Sequence, residues 1–154
     1  MKQNLSKLLT LVIVLCMLMS QVNIPVLAAD EPVFAGGSGT IEDPYQISTA
    51  EQLNEIRNYA IMHFILISDI DLSGYSGGEG WDPIDRFSGS LDGQRHTISN
   101  LTVNRPTEDH VGLMSRIQSN GVIENINFID ATISAKGYLG IVAGQNSGSI
   151  TNCY

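Results

Sequence analysis

The sequence is poor in cysteine, aromatic residues and positive charge. Its 154 residues contain two cysteines, one tryptophan, 6% aromatic residues, and eight Lys and Arg against sixteen Asp and Glu. The formal net charge of −8 argues against nucleic acid or an anionic membrane surface as the partner. Two cysteines are too few for a fold that disulfides hold together.

The first 29 residues predict a secretory signal peptide. Lys2 and Lys7 give a basic start, residues 8–19 form a mostly apolar run, and the run VLAA ends the segment with small residues. A membrane anchor is less favoured, because the apolar run is shorter than the ~20 residues that cross a bilayer. We expect cleavage after Ala28 or Ala29, and a mature chain that is secreted or held at the cell surface without being embedded in the membrane.

Cleavage would leave Cys153 as the single cysteine and change the net charge to 6 − 16 = −10. An intramolecular disulfide would then be impossible. About 125 residues would remain, enough for one domain with a core. No activating base accompanies Cys153 in the sequence, so we expect it to occupy a core position.

One short pattern recurs in the C-terminal half of the chain: an isoleucine, an asparagine two places later, and then an apolar residue or Cys. The isoleucines are Ile98, Ile123 and Ile150, and the asparagines are Asn100, Asn125 and Asn152. The offsets of 25 (98 to 123) and 27 (123 to 150) are typical of repeat architectures. Glycines recur with the pattern, and they are Gly112 with Gly140 and Gly121 with Gly148.

This pattern predicts a bent strand. Inward side chains of a regular strand lie two residues apart, whereas here the next apolar residue comes three places after the isoleucine. Asparagine suits the bend because it tolerates the left-handed backbone region. We expect the three isoleucines to lie one over another at equivalent corners, with the asparagine amides in a ladder. Chance recurrence is the alternative, and the recurring glycines argue against it.

Residues 47–62 predict one helix. A capping box is formed by Ser48 with Glu51 or by Thr49 with Gln52. The apolar residues that follow lie on one helical face, and they are Leu53, Ile56 and Ala60. We expect this helix to cover the exposed first coil of a strand stack, with a surface helix on an α+β domain as the alternative.

Residues 64–72 alternate between apolar and polar and predict one strand with a solvent-facing side. Asp69 and Asp71 would lie about 7 Å apart on that side. Acids on an outer β-helix face can bind calcium or act in catalysis, so both are candidate calcium ligands. The favoured interpretation is a solvated strand face. Further along, Asp92 and Gly93 predict a tight turn.

The sequence predicts no catalytic residue, cofactor-binding residue or other metal ligand. Its three histidines have no metal-site spacing, and neither a nucleophile elbow nor a phosphate-binding loop is present.

The combination of motifs resembles the GLUG-motif modules of bacterial secreted and cell-surface proteins. The similarity is carried by GLMS, LGIVAG, GVIEN and GSITN, and by GGSGTIEDPYQISTAEQL, SDIDLSG, WDPI and FSGSLDGQRHTISNLTV. Three departures are Ser115 in place of a glycine, one extra residue before Gly144, and Gln94-Arg95 in place of Asn-Gly. The resemblance implies a right-handed parallel β-helix, alone or as the forepart of surface proteins that include immunoglobulin-cleaving peptidases. The resemblance implies no catalytic residue in this chain.

We therefore expect an all-β protein: a signal peptide (1–29), a glycine-rich opening segment (30–46) and a β-helix domain (47–154) with a short N-terminal capping helix (47–62). The last coil is expected to be incomplete, as in a fragment. The expected function is a non-catalytic exported scaffold for spacing, adhesion or ligand binding, with an extracellular glycan or host protein as the partner. The alternative is the N-terminal recruiting part of a larger metallopeptidase or polysaccharide-degrading enzyme.

Overall fold

The structure is a computed structural model that describes residues 33–154, so the predicted signal peptide lies outside the described residues. The described part contains one α-helix, α1 (Ala50–Glu55), continued by a 3₁₀ turn (Ile56–Asn58). Its strands are β1 (Tyr45–Ile47), β2 (His63–Leu66), β3 (Ile70–Asp71), β4 (Ser90–Asp92), β5 (Thr97–Ser99), β6 (Thr102–Val111), β7 (Met114–Ile117), β8 (Val122–Glu124), β9 (Asn127–Ile129), β10 (Thr132–Leu139), β11 (Ala143–Asn146) and β12 (Ser149–Thr151).

These strands wind into stacked coils. From β2 onward, strands that follow one another in the chain lie in different sheets, and each pairs in parallel with its equivalent in the next coil. One coil runs through β4, β5, β6 and β7, and the next runs through β8, β9, β10 and β11. The chain is therefore a parallel β-helix of about three turns with one short helix, which confirms the predicted fold class.

The five-stranded sheet, in the order β1-β2-β4-β8-β12, sets the register of the stack. Phe64 lies opposite Leu91, Leu91 opposite Ile123, and Ile123 opposite Ile150. Successive coils thus contain 27 (64 to 91), 32 (91 to 123) and 27 (123 to 150) residues. These inward side chains form one apolar column along the stack.

The prediction that Ile98 lies in this column is wrong. Ile98 belongs to the three-stranded sheet β3-β5-β9, between Ile70 and Phe128, whereas Ile123 and Ile150 are adjacent in the five-stranded sheet. The same local sequence occurs at two different corners of the coil. An inward isoleucine followed by a left-handed asparagine ends a strand equally well at either corner.

The predicted bend itself is confirmed at all three asparagines. Asn100, Asn125 and Asn152 have φ values of 59°, 56° and 51°, in the left-handed region. The glycine equivalences hold as well, because a Cβ on Gly112 would lie 2.2 Å from the carbonyl oxygen of Gly140, and one on Gly148 would lie 2.2 Å from that of Gly121. Only glycine allows the coils to approach this closely.

Two other local predictions are corrected by the structure. Residues 64–72 form two short strands, β2 and β3, in different sheets, so the chain turns a corner between them. The four apolar residues expected to be inward are all buried, and they are Phe64, Leu66, Ile70 and Leu72. The tight turn is centred on Gln94 and Arg95, because the His96 N–H donates to the Gly93 carbonyl oxygen over 2.7 Å.

The helix is shorter than the predicted range 47–62 at both ends. It begins at Ala50, because Ile47 belongs to β1 and Thr49 is the N-cap, and residues 59–62 lie outside both α1 and the 3₁₀ turn. Of the two predicted capping pairs, Thr49 with Gln52 is the one that caps the helix: the Gln52 N–H donates to the Thr49 hydroxyl over 3.3 Å. Leu53 and Ile56 are fully buried in the same apolar cluster as Phe64.

Aromatic rings fill the N-terminal end of the stack. Phe34 stacks on Tyr45 with ring centroids 4.4 Å apart and meets Tyr59 and Phe64 edge to face at 5.3 and 5.5 Å. At the other end of the described residues, Ile150 and Cys153 are only partly buried while Ile123 is fully buried. No helix within residues 33–154 has the length and apolar character to cross a membrane.

Candidate functional site

The corner between the five-stranded and three-stranded sheets carries a ladder of polar side chains. The Asn152 amide donates to the Asn125 amide oxygen over 3.0 Å, and the Asn125 amide donates to the Asp92 carboxylate over 2.9 Å. Two of the three predicted ladder residues are therefore adjacent. Asn100 lies at the next corner, where its amide donates to the Asp71 carboxylate over 2.8 Å.

The turn next to this ladder contains two non-glycine residues with a left-handed backbone conformation. Gln94 and Arg95 have φ values of 51° and 69°, which glycine or asparagine adopts more readily. Asp92 supports the turn by accepting hydrogen bonds from the Gln94 backbone N–H (2.9 Å) and side-chain amide (2.7 Å). The Arg95 side chain thus projects from a fixed position at the corner.

A polar groove of about 370 Å3 lies beside the ladder, hereafter the corner groove, and it is lined by Arg95, Asn125, Asn127, Asn152 and Tyr154. Tyr154 is placed by the stack, since its backbone N–H donates to Ile126 over 3.1 Å and its carbonyl accepts from Phe128 over 2.7 Å. Its side chain is 81% exposed. The groove therefore combines a guanidinium, three amides and an accessible aromatic ring.

Arg95 is the one cationic side chain of residues 33–154 for which the structure gives no ion pair. The other five are paired, and the pairs are Arg57–Asp82, Arg86–Asp85, Arg105 with Glu79, Asp82 and Glu108, Arg116–Asp85, and Lys136–Asp109. This is unusual in a region with six cations and fourteen acids (6 − 14 = −8). The Arg95 guanidinium is available to an anionic group from outside the chain.

The candidate calcium ligands Asp69 and Asp71 use their oxygens within the fold. Asp69 accepts hydrogen bonds from the Thr97 N–H (2.9 Å) and the His96 ring (3.1 Å). Asp71 accepts from the Asn100 amide and from the Ser73 N–H and hydroxyl, at 2.8 to 2.9 Å. These arrangements cap neighbouring turns and corners.

The same contacts shift the titration of both carboxyls. The pKa of Asp69 is lowered first by the Thr97 N–H and then by His96, and the pKa of Asp71 is lowered first by the Asn100 amide and then by Ser73. Hydrogen bonds to the charged form stabilise it. Among the described residues, no group of three or more His, Cys, Asp or Glu side chains is placed to hold a metal ion.

Cys153 packs partly buried against the core, and its thiol donates to the Thr151 carbonyl over 3.4 Å. Burial raises the pKa of this thiol, so the neutral form is favoured.

The corner groove was not predicted from the sequence. Its asparagines were singled out for the ladder, but Arg95, Asn127 and Tyr154 were not. The available signal was the departure of Gln94-Arg95 from the Asn-Gly turn of the family that the sequence resembles. A bulky cation at a position that glycine fills without strain is a reason to look for a function of the side chain.

The chain matches no protein-family model. It is 40% identical over 135 residues to a "Putative Gly-rich membrane protein" of Evansella cellulosilytica, a match that covers 80% of this chain and 16% of the relative. It is 38% identical over 128 residues to the "Halomucin" of Haloquadratum walsbyi, covering 75% of this chain and 1% of the relative. The chain therefore spans only a small part of the length of either relative.

The fold is similar to the crystal structure of a "putative immunoglobulin A1 protease" from Bacteroides ovatus. The TM-score is 0.60 at 25% sequence identity, and the match covers 79% of this chain and 40% of that chain. Taken together, the comparisons relate this β-helix to parts of longer chains, two of which are named as a putative Gly-rich membrane protein and a halomucin.

Proposed function

We propose that the chain is a non-catalytic, exported β-helix module that serves as a spacer, adhesion surface or ligand-binding scaffold at a bacterial cell surface. The observation that carries the proposal is that related sequence occurs, at 40% and 38% identity, inside two much longer proteins named as a membrane protein and a halomucin. Stacked coils suit such a role because they present rigid, extended faces built from neighbouring repeats.

We infer that the chain is exported from the signal peptide predicted at residues 1–29. We infer that it belongs to the GLUG-motif modules from the sequence motifs. Expression of the full chain in a secreting bacterium, followed by N-terminal sequencing, tests export. We expect Ala29 or Asp30 as the first residue of the secreted product. A product that stays inside the cell and begins at Met1 would contradict this part of the proposal.

The absence of catalysis is tested with the purified chain on soluble polysaccharides and on immunoglobulin. We expect saturable binding to at least one glycan, with no new reducing ends and no cleaved immunoglobulin. The variant Asp69→Asn with Asp71→Asn is the informative comparison, because in this proposal both carboxylates only support corners. New reducing ends that disappear in this variant would refute the scaffold proposal.

The second candidate is the recruiting part of a larger surface enzyme. The similarity to a protein named as a putative immunoglobulin A1 protease favours it, since the matched part of this chain covers 40% of that chain. In that case the purified chain would bind immunoglobulin without cutting it. Immunoglobulin binding in the absence of any glycan binding would favour this candidate over the first.

A further inference from the structure

We propose that the corner groove binds a sugar residue that carries a carboxylate, with Arg95 as the group that recognises the charge. This inference names a ligand class for the proposed scaffold and rests on that function. It starts from the Arg95 guanidinium, which is exposed and has no acidic partner among the described residues. A guanidinium offers two parallel N–H groups that match the two oxygens of a carboxylate.

The amides of the groove suit the hydroxyl groups of a sugar. Asn127 donates one amide N–H to the Arg95 carbonyl over 3.1 Å, and its side-chain oxygen accepts no bond from a described residue. Asn152 donates to Asn125, which leaves its own oxygen and second N–H available. A sugar hydroxyl both donates and accepts, so it pairs with such mixed amide surfaces.

The aromatic ring supplies an apolar face. Tyr154 is 81% exposed at the groove, while its backbone is held by two hydrogen bonds to the preceding coil. An exposed tyrosine ring can pack against the C–H face of a pyranose, and with two side-chain torsions it loses little entropy on binding. An acidic peptide would use the guanidinium but would make less use of the amide and ring surfaces.

The charge of the surrounding surface limits the length of the ligand. Residues 33–154 carry fourteen acids against six cations, and Arg95 is the one cation among them without an ion pair. A long polyanion would be repelled beyond the groove. The ligand is therefore a short or sparsely charged stretch of an acidic glycan.

The backbone conformation of Arg95 allows its side chain to be removed without loss of stability. At φ 69°, replacement by glycine relieves strain, so Arg95→Gly removes the side chain without threatening the fold. Arg86 provides a matched control, because it is also an exposed arginine with a positive φ, 55°, and it does not line the groove. Arg86→Gly makes the same change in charge and in backbone freedom elsewhere.

The experiment is isothermal titration of the full chain and both variants with a tetrasaccharide of galacturonic acid, its methyl ester and oligoglutamate. We expect the acidic sugar to bind the wild type and Arg86→Gly equally, with affinity at least about tenfold lower for Arg95→Gly and for the methyl ester. Urea unfolding midpoints of Arg95→Gly should equal or exceed that of the wild type.

Three results would overturn the inference while leaving open a scaffold that binds elsewhere. They are absence of binding to the acidic sugar, equal binding of acid and ester, and unchanged binding by Arg95→Gly. Tighter binding of oligoglutamate than of the sugar would assign the groove to acidic peptides and would also overturn it. Release of new reducing ends from the tetrasaccharide would instead refute the proposed non-catalytic function.

Discussion

The apolar column of the five-stranded sheet offers a matched pair of substitutions, Ile123→Ala and Ile150→Ala. Both residues have the same type, the same strand position and the same following asparagine. Ile123 is fully buried between Leu91 and Ile150, whereas Ile150 has a neighbouring coil on one side and is partly exposed. The pair therefore measures the contribution of one additional coil.

The expected magnitudes follow from burial. Replacing a fully buried isoleucine by alanine removes about three carbon groups at ~0.8 kcal/mol each and leaves a cavity, so Ile123→Ala should cost about 3–4 kcal/mol. Ile150 loses contacts on one side only, and its substitution should cost about half as much, ~1–2 kcal/mol. A domain of this size has a stability of about 6–18 kcal/mol, so both variants should still fold.

Urea unfolding measures both effects. The single tryptophan, Trp81, is fully buried and donates to the Leu113 carbonyl over 3.0 Å, so its fluorescence reports on unfolding of the core. With a slope of about 2 kcal/mol per molar urea, the midpoint should fall by about 1.5–2 M for Ile123→Ala and by less than about 1 M for Ile150→Ala. Equal shifts would show that the two positions are equally buried and would contradict the difference in burial described here.

Two further predictions concern the corners and the glycine contacts. Because the folded-state pKa values of Asp69 and Asp71 are lowered, their contribution to stability is present above the unfolded pKa of 3.8 and is lost as the pH falls through the folded values. Urea unfolding between about pH 5 and 2 should therefore depend less on pH in the double Asn variant, and an unchanged pH dependence would refute this. Gly112→Ala should lower the free energy of unfolding by about 2 kcal/mol or more, because its Cβ would lie 2.2 Å from the Gly140 carbonyl oxygen. Gly74→Ala should change it by no more than about 0.5 kcal/mol, because no atom lies within 4 Å of the added Cβ. Equal thermal midpoints for these two glycine variants would contradict the close approach of the coils.

Much of the fold was predictable because the bend is a local property. An isoleucine followed by a left-handed asparagine ends a strand wherever it occurs, so the pattern predicted the corners at Asn100, Asn125 and Asn152. For the same reason the pattern could not predict which corner each copy forms. Ile98 was predicted in the wrong sheet because it shares the isoleucine and asparagine spacing with Ile123. His96 stands where Gly121 and Gly148 precede the other two isoleucines, and this difference marks the other corner.

The lengths of the coils indicate which corner each copy of the pattern forms. The coil between Leu91 and Ile123 contains 32 residues, five more than its neighbours, and β6 alone contains ten residues. The sequence offset of 25 between Ile98 and Ile123 is therefore shorter than the 27, 32 and 27 residues that separate β2, β4, β8 and β12. Two places after Leu91, where the repeat predicts asparagine, the sequence has Gly93, and the Asn125 amide donates instead to Asp92, the residue before it. This difference concealed the true equivalence.

The corner groove could not be predicted for a different reason. Its residues come from three separated parts of the chain, and they meet because parallel stacking places the turn at Arg95 beside Asn127 and Tyr154. Such a cluster follows from register, which the sequence alone predicted incorrectly.

Register is the central claim, and disulfide trapping between β8 and β12 tests it most directly. Glu124 and Thr151 are opposite one another in parallel strands, at about 4.8 Å between Cα atoms, which a disulfide can span. In a background with Cys16→Ser and Cys153→Ser, Glu124→Cys with Thr151→Cys should oxidise completely to an intramolecular disulfide. Glu124→Cys with Ser149→Cys, two residues out of register at about 8 Å, should remain reduced. Equal crosslinking of both pairs, or crosslinking of the second pair alone, would contradict the parallel stack described here.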